Sequence, residues 1–244
     1  MNVSEFYSFL KNDFPHTTTP KQDIALQLLA KFVLGTNKNE TFLLKGYAGT
    51  GKTTIVGSLV KNLSKVKKRS VLLAPTGRAA KVISNYSNKQ AFTIHKKIYF
   101  PKSEKGSVSF NLQQNKHRDT IFIVDEASMI PDINQDSKLF ENGSLLDDLM
   151  QYVYSGNNCR LLLIGDSAQL PPVYLDISPA LDSHLLENQY NREVIKLELD
   201  EVVRQQKDSG ILENATRIRE RLEDELYGAF KFSEVNFPDI IRPT

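Results

Sequence analysis

Two polar clusters in this chain combine residue types that do chemistry on phosphates. The first, Gly46-Tyr47-Ala48-Gly49-Thr50-Gly51-Lys52-Thr53, fits the spacing G-x-x-x-x-G-K-[ST]. Its glycines let the backbone close around an anion, so that successive N–H groups point inward as a nest. A helix that starts here turns its unsatisfied N–H groups and positive dipole end toward the same anion. Lys52 supplies a mobile cation for β and γ phosphates, and the Thr53 hydroxyl can serve Mg²⁺. The ligand implied is a nucleoside triphosphate, with Gly46, Ala48, Gly49, Thr50, Gly51, Lys52, Thr53 and Thr54 around it.

The second cluster, Asp125-Glu126, closes the apolar run Thr120-Ile121-Phe122-Ile123-Val124. An aspartate there can hold Mg²⁺ opposite Thr53, while the adjacent glutamate orients and deprotonates an attacking water. Transfer of phosphate to an alcohol needs no such water base, so the pair favours hydrolysis. Taken alone, two acids ending a strand also arise by chance; beside the glycine loop they gain a role.

These clusters need a scaffold that brings them to one edge. Apolar runs of strand length occur at 41–45, 70–74, 120–124, 160–164 and 194–199, separated by helical patterns and by connections long enough for parallel crossovers. The expected fold is α/β, a buried parallel sheet flanked by helices, with ligand chemistry beyond the carboxyl ends of the strands. The strand at 194–199 alternates polar and apolar residues, as expected nearer an edge. Ahead of the first strand, Glu5 to Leu10 and Gln22 to Leu34 read as helices, the second with Thr19 as N-cap, Pro20 in its first turn and an apolar stripe of Ile24, Leu28, Leu29 and Phe32. Helices are also expected to about Tyr86, over Ser144 to Tyr154 and over 211–224. From Lys96 to Asp119 the chain is polar and basic, and Lys105-Gly106 lies between two short β-prone runs, which predicts a small β-hairpin in a minor lobe.

Composition is that of an ordinary globular protein, 40% hydrophobic and 25% charged. The N-terminus lacks the pattern of a signal peptide and no run reaches the length of a membrane span, so a cytoplasmic location without membrane contact is expected. Cys159, the single cysteine, opens an apolar run and reads as a buried, inert thiol. Between Lys61 and Arg118 stand fourteen Lys or Arg and one acidic residue, in a chain whose net charge is only +2. Such asymmetry fits a polyanion-binding surface; a solvated basic face fits it equally.

Taken together, residues 19 to about 220 resemble the first RecA-like motor domain of a superfamily 1 DNA helicase, within the RecD and Dda group that includes the exonuclease V alpha subunit. Thr19-Pro20-Lys21-Gln22 resembles the Q-motif, in which Gln22 reads the adenine edge, so that ATP is the nucleotide implied. Gly46 to Thr53 corresponds to motif I and Asp125-Glu126 to motif II. Ala74 to Ala80, with Pro75, Thr76 and Arg78, resembles the motif Ia that touches the DNA backbone, and Thr93-Ile94-His95 the next DNA-side motif. Gly165-Asp166 to Pro172 resembles motif III, with Gln169 coupling γ-phosphate to DNA. Val203-Arg204-Gln205 resembles motif IV, whose arginine reaches the γ-phosphate.

The resemblance implies residues 1–205 as motor domain 1A, interrupted by the 96–119 insertion as its 1B-like lobe, with 206–244 a helix and tail leading toward a second RecA-like domain that this chain lacks. It implies Lys52, Glu126, Gln169 and Arg204 in catalysis, single-stranded DNA and duplex junctions as partners, repair or recombination subunits, and 5′–3′ movement. Singly, other readings remain: Gln22 as a surface glutamine, His95 as a satisfied histidine, Arg204 as an ion-pair partner, Thr76 and Arg78 as helix cap and solvated charge. For the whole chain, one alternative is an ATP-gated nucleic-acid-binding module with little turnover of its own. Another is a P-loop ATPase acting on protein or RNA.

Overall fold

The computed structural model describes residues 1–104, 107–131, 144–166, 168–169, 172, 175, 177–201, 209–223, 228–233, 237 and 239–240. Helix α1 (Val3–Asn12) opens on a capping box, in which Asn2 Oδ1 accepts from the Glu5 N–H at 2.8 Å and Glu5 Oε2 accepts from the Asn2 N–H at 3.0 Å. A second capping box, between Thr19 and Gln22, starts α2 (Pro20–Leu34), with Pro20 in the first turn. Then come β1 (Glu40–Gly46), α3 (Lys52–Asn62), β2 (Arg69–Ala74), α4 (Gly77–Ser87), β3 (Ala91–Thr93) and α5 (Ile94–Ile98). The hairpin β4 (Tyr99–Glu104) and β5 (Ser107–Leu112) follows, then β6 (Thr120–Val124), α6 (Leu145–Ser155), β7 (Arg160–Gly165), α7 (Ser183–Tyr190), β8 (Glu193–Leu199) and α8 (Gly210–Glu223).

Six strands form one sheet in the order β3-β2-β6-β7-β1-β8, and its described pairings are parallel. Both faces are covered, which explains the unbroken apolar runs. Phe42 and Leu44 of β1 turn to one face, where Phe6 and Leu10 of α1, Leu29 and Phe32 of α2, and Ile55 and Leu59 of α3 pack on them. Leu43 turns to the other, against Leu146, Leu149 and Val153 of α6. The half-polar β8 takes the edge beside β1, as its alternation requires.

The two-stranded hairpin forms as expected, antiparallel, with Tyr99 opposite Leu112. Its foot is tied to the main body: Tyr99 is buried and its hydroxyl donates to Asp148 of α6. The regular part of the insertion is narrower than 96–119, because Lys96 and Lys97 complete α5.

One expectation needs correction. The apolar stripe of α2 misplaces Ile24, which is 45% exposed; Ala25, Leu26, Leu29, Ala30, Phe32 and Val33 are the buried apolar residues. The helix packs against α1, α3 and the sheet, so it buries a broad arc rather than a single stripe. Helix α3 begins at Lys52, inside the glycine motif.

At the opposite end of the sheet from the polar clusters, Arg160 is 1% exposed. Its guanidinium donates to the Phe32 and Gly35 carbonyls at the end of α2 and lies 3.3 Å from Glu40 Oε2. A cation there satisfies carbonyls that the helix leaves without partners. Cys159 beside it is buried, and desolvation pushes its thiol up, in keeping with an inert role.

Asp23 joins α1 to α2: Oδ1 accepts from the Tyr7 hydroxyl and from Lys11 Nζ, each at 2.7 Å, and Oδ2 from Gln27 Nε2 at 2.9 Å. Burial works to raise its pKa, but the Lys11, Tyr7 and Gln27 hydrogen bonds together outweigh it and hold the carboxyl below its ordinary value. A depressed carboxyl stabilises the fold above its unfolded pKa, about 3.9, and that contribution is lost as pH falls through the folded pKa. In urea denaturation at varied pH, Asp23→Asn should therefore be less stable than the parent at neutral pH, with the gap narrowing below about pH 4.

Candidate functional site

Because the strands run parallel, β1, β2, β6 and β7 all end at the same edge, and their C-terminal residues deliver the polar clusters there. The glycine loop follows β1. Gly49 and Gly51 adopt φ of 79° and 89°, left-handed values that glycine reaches without strain. At Gly46 a Cβ would stand 2.9 Å from the Leu199 carbonyl, so the loop base tolerates no side chain. Lys52 Nζ donates to the carbonyls of Gly46 and Tyr47, which places the cation over the loop mouth.

A cleft of about 380 Å³ opens above this loop. Tyr47, Ala48, Gly49, Gly51, Lys52, Thr53 and Thr54 line it from the loop side, and Asp125, Glu126, Asp166 and Gln169 from the ends of β6 and β7. Gly46 and Thr50, both expected in the nucleotide site, do not line it. Gly46 is the base of the loop, and Thr50 is buried behind it with its hydroxyl donating to the Tyr47 carbonyl at 2.8 Å. Gln22 lines the cleft, but its amide is already engaged: Nε2 donates to the Thr50 carbonyl at 2.9 Å, and Oε1 accepts from the Thr19 N–H at 3.1 Å. Gln22 thus braces the loop from behind.

The acidic pair is held with asymmetry. Asp125 Oδ1 accepts from the Glu126 N–H at 3.0 Å, and Oδ2 from the Tyr86 hydroxyl at 2.7 Å. Glu126 has φ of 55°, left-handed for a non-glycine residue, the kind of local strain found where a side chain is aimed for function. Burial first, and then the Asp125 charge, push the Glu126 carboxyl above its ordinary value, while a hydrogen bond with Gln169 works against them. Gln169 Oε1 in turn accepts from the Ser128 hydroxyl at 3.0 Å. A carboxylate with raised proton affinity, held beside a polar relay, is suited to take a proton from water.

Among the described residues no three His, Cys, Asp or Glu side chains gather into a metal site. Thr53 and Asp125 instead offer a hydroxyl and a carboxylate, an all-oxygen pair that fits Mg²⁺ when water and substrate phosphates complete the shell.

A second cleft, about 280 Å³, is lined by Thr76, Arg78, Ala79 and Met129 together with Val82, Asp125, Glu126 and Gln169, which also line the first. Thr76 N-caps α4 through the Ala79 N–H, so its hydroxyl has a structural duty as well. Pro75, Thr93 and His95 line neither cleft. Thr93 caps α5, and His95 packs against the Tyr99 ring with burial lowering its pKa. Arg204 lies outside the described residues. Sequence reasoning missed Phe14, His16 and Thr17, which line the first cleft from the α1–α2 connection, and Tyr86. No spacing rule points to them, although 14–17 stand just before the Thr19 cap.

The protein family described as an AAA domain matches residues 30–175. The ATP-dependent DNA helicase dda of Enterobacteria phage T4 is 30% identical over 186 residues, covering 75% of this chain and 38% of that protein. The ATP-dependent RecD2 DNA helicase of Deinococcus radiodurans is 31% identical over 131 residues, 54% of this chain and 16% of that protein. The solved structure of the Pif1 helicase from Bacteroides, in complex with ADP-AlF3 and ssDNA, aligns with TM-score 0.50 and 17% identity, over 87% of this chain and 48% of that one. The chain therefore spans less than half the length of each.

Gln22→Ala removes both the cap and the partner of a buried carbonyl. It should cost about 1–3 kcal/mol in chemical denaturation and loosen the glycine loop, seen as weaker binding of a fluorescent nucleotide.

Proposed function

The chain belongs to the AAA-domain family, as a superfamily 1 helicase motor domain of the RecD/Dda type, and on that premise we propose that it binds and hydrolyses ATP with Mg²⁺ and engages single-stranded DNA, moving 5′–3′ in the complete motor. The observation that carries this reading is the convergence of Lys52, Thr53, Asp125, Glu126 and Gln169 on one cleft from three strand ends.

The backbone nest of 47–51 and the start of α3 hold the β and γ phosphates, and Lys52 leaves the loop carbonyls to neutralise them. Thr53 and Asp125 would hold Mg²⁺, which would supply charge neutralisation on the phosphate oxygens. Glu126 orients a water for in-line attack and takes its proton, favoured by the raised proton affinity that burial gives it. Gln169, bonded to Ser128 on one side and Glu126 on the other, reports the state of the γ-phosphate to the second cleft. Arg204 completes the charge stabilisation in this reading. Single-stranded DNA is supported by the ssDNA bound to the Bacteroides Pif1 fold neighbour and by Thr76 and Arg78 beside the second cleft.

The basic run gives narrower support than its count suggests. Lys61 and Lys65 pair with Asp13, Lys68 pairs with Asp119, and Lys89 donates to Ser70. Arg78 has no such tie among the described residues and borders the second cleft.

Steady-state ATP hydrolysis by this chain, with and without single-stranded DNA, tests the reading. Stimulated turnover that falls about a hundredfold or more in Lys52→Ala supports it; nucleotide binding without DNA-stimulated turnover supports the gated-module alternative, and no nucleotide binding overturns both. For DNA, log affinity should fall with log salt by about 0.7 per phosphate contacted, and Arg78→Ala should reduce that slope by about one contact. Fluorescence anisotropy with a labelled oligonucleotide reads both.

A further inference from the structure

Tyr86 lies outside every sequence motif, eight residues beyond Arg78 on α4, yet its side chain reaches the pair expected to hold the metal ion. The hydroxyl donates to Asp125 Oδ2 at 2.7 Å, and Tyr86 lines the same cleft as Asp125 and Thr53. Asp125 Oδ1 accepts from the Glu126 N–H at 3.0 Å. A carboxylate offers about four lone-pair sites. One hydrogen bond on each oxygen fixes the plane of the carboxyl group and leaves it able to face a metal-bound water. The ring of Tyr86 packs against the core layer on the α3 side of the sheet, so the hydroxyl is carried by an anchored frame.

We propose that Tyr86 is a positioning residue for the metal ion, holding the Asp125 carboxylate at the placement from which it would receive Mg²⁺ opposite the Thr53 hydroxyl, together with the triphosphate. The proposal rests on the nucleotide-hydrolysis reading above. It adds that the metal-holding geometry is set in advance by a helix that carries none of the metal's ligands. Groups that orient a metal's ligands from behind are commonly worth about 10–100-fold in metal affinity.

Tyr86→Phe keeps the ring and its packing and removes only the donor. Binding of a fluorescent ATP analogue to the 244-residue chain is measured in EDTA and across a Mg²⁺ titration. The Mg²⁺ concentration for half-maximal tightening should rise about tenfold in Tyr86→Phe. In an Asp125→Asn background the same substitution should change it by less than about twofold, because the route through Asp125 is already gone. A merely structural role would weaken binding in EDTA and in Mg²⁺ alike and leave that midpoint in place, which would overturn the proposal. An undiminished shift in the Asp125→Asn background would overturn it too. If the parent chain binds the analogue no better with Mg²⁺ than with EDTA, the hydrolysis reading falls first and takes the proposal with it. If Mg²⁺ tightens binding in the parent and Tyr86→Phe shows the same midpoint, the proposal alone is overturned.

Discussion

Strands β1, β6 and β7 are buried on both faces, and a buried strand tolerates polar side chains only where it leaves the sheet. Phe42, Leu43, Leu44, Phe122, Ile123, Leu162 and Leu163 are fully buried, and a hydroxyl or carboxylate in their place would cost several kcal/mol without a partner. Parallel pairing then puts all the carboxyl ends at one edge. Loop, acidic pair and Gln169 meet because the core leaves them nowhere else to stand, and the same constraint sends Arg160 to the other end, where helix carbonyls satisfy it.

At the edge the problem reverses, since charges must be kept close without being neutralised by one another. Lys52 is tied to the loop carbonyls, and Asp125 to a phenol and an N–H. Glu126 carries the cost of this arrangement, being partly desolvated and beside another carboxylate, with its proton affinity raised. Perturbed carboxylates gathered in a cleft in this way are a common mark of functional sites.

Much of this was legible in the sequence, because its signals are local. The glycine loop, the apolar strand before it, the Thr19 cap and the acidic pair each occupy a few consecutive residues and obey a spacing rule. The hairpin and the edge position of β8 followed from alternation and turn residues. What escaped depends on distant packing. Ile24 matches a helical stripe yet faces out, since α2 is clasped from two sides and its buried arc includes Ala25 and Ala30. The bond by which Gln22 braces the glycine loop through the Thr50 carbonyl spans 28 residues and has no local signal. Tyr86 and the 14–17 connection reach the cleft only through the crossover of α4 and the wrap of α1 over α3, contacts that no window of sequence contains.

Helix α4 is the element that gives these separate devices a common frame. Its first turn borders the second cleft through Arg78 and Ala79, Val82 lines both clefts, and Tyr86 touches Asp125. About 1.5 Å of rise per residue makes it a short rod of some three turns, stiff over that length. The wall between the clefts is made of Asp125, Glu126 and Gln169 themselves. A ligand in either cleft therefore meets the same side chains, and coupling between the two needs no long pathway through the protein. It needs only that the wall and the rod have arrangements that the two ligands favour unequally.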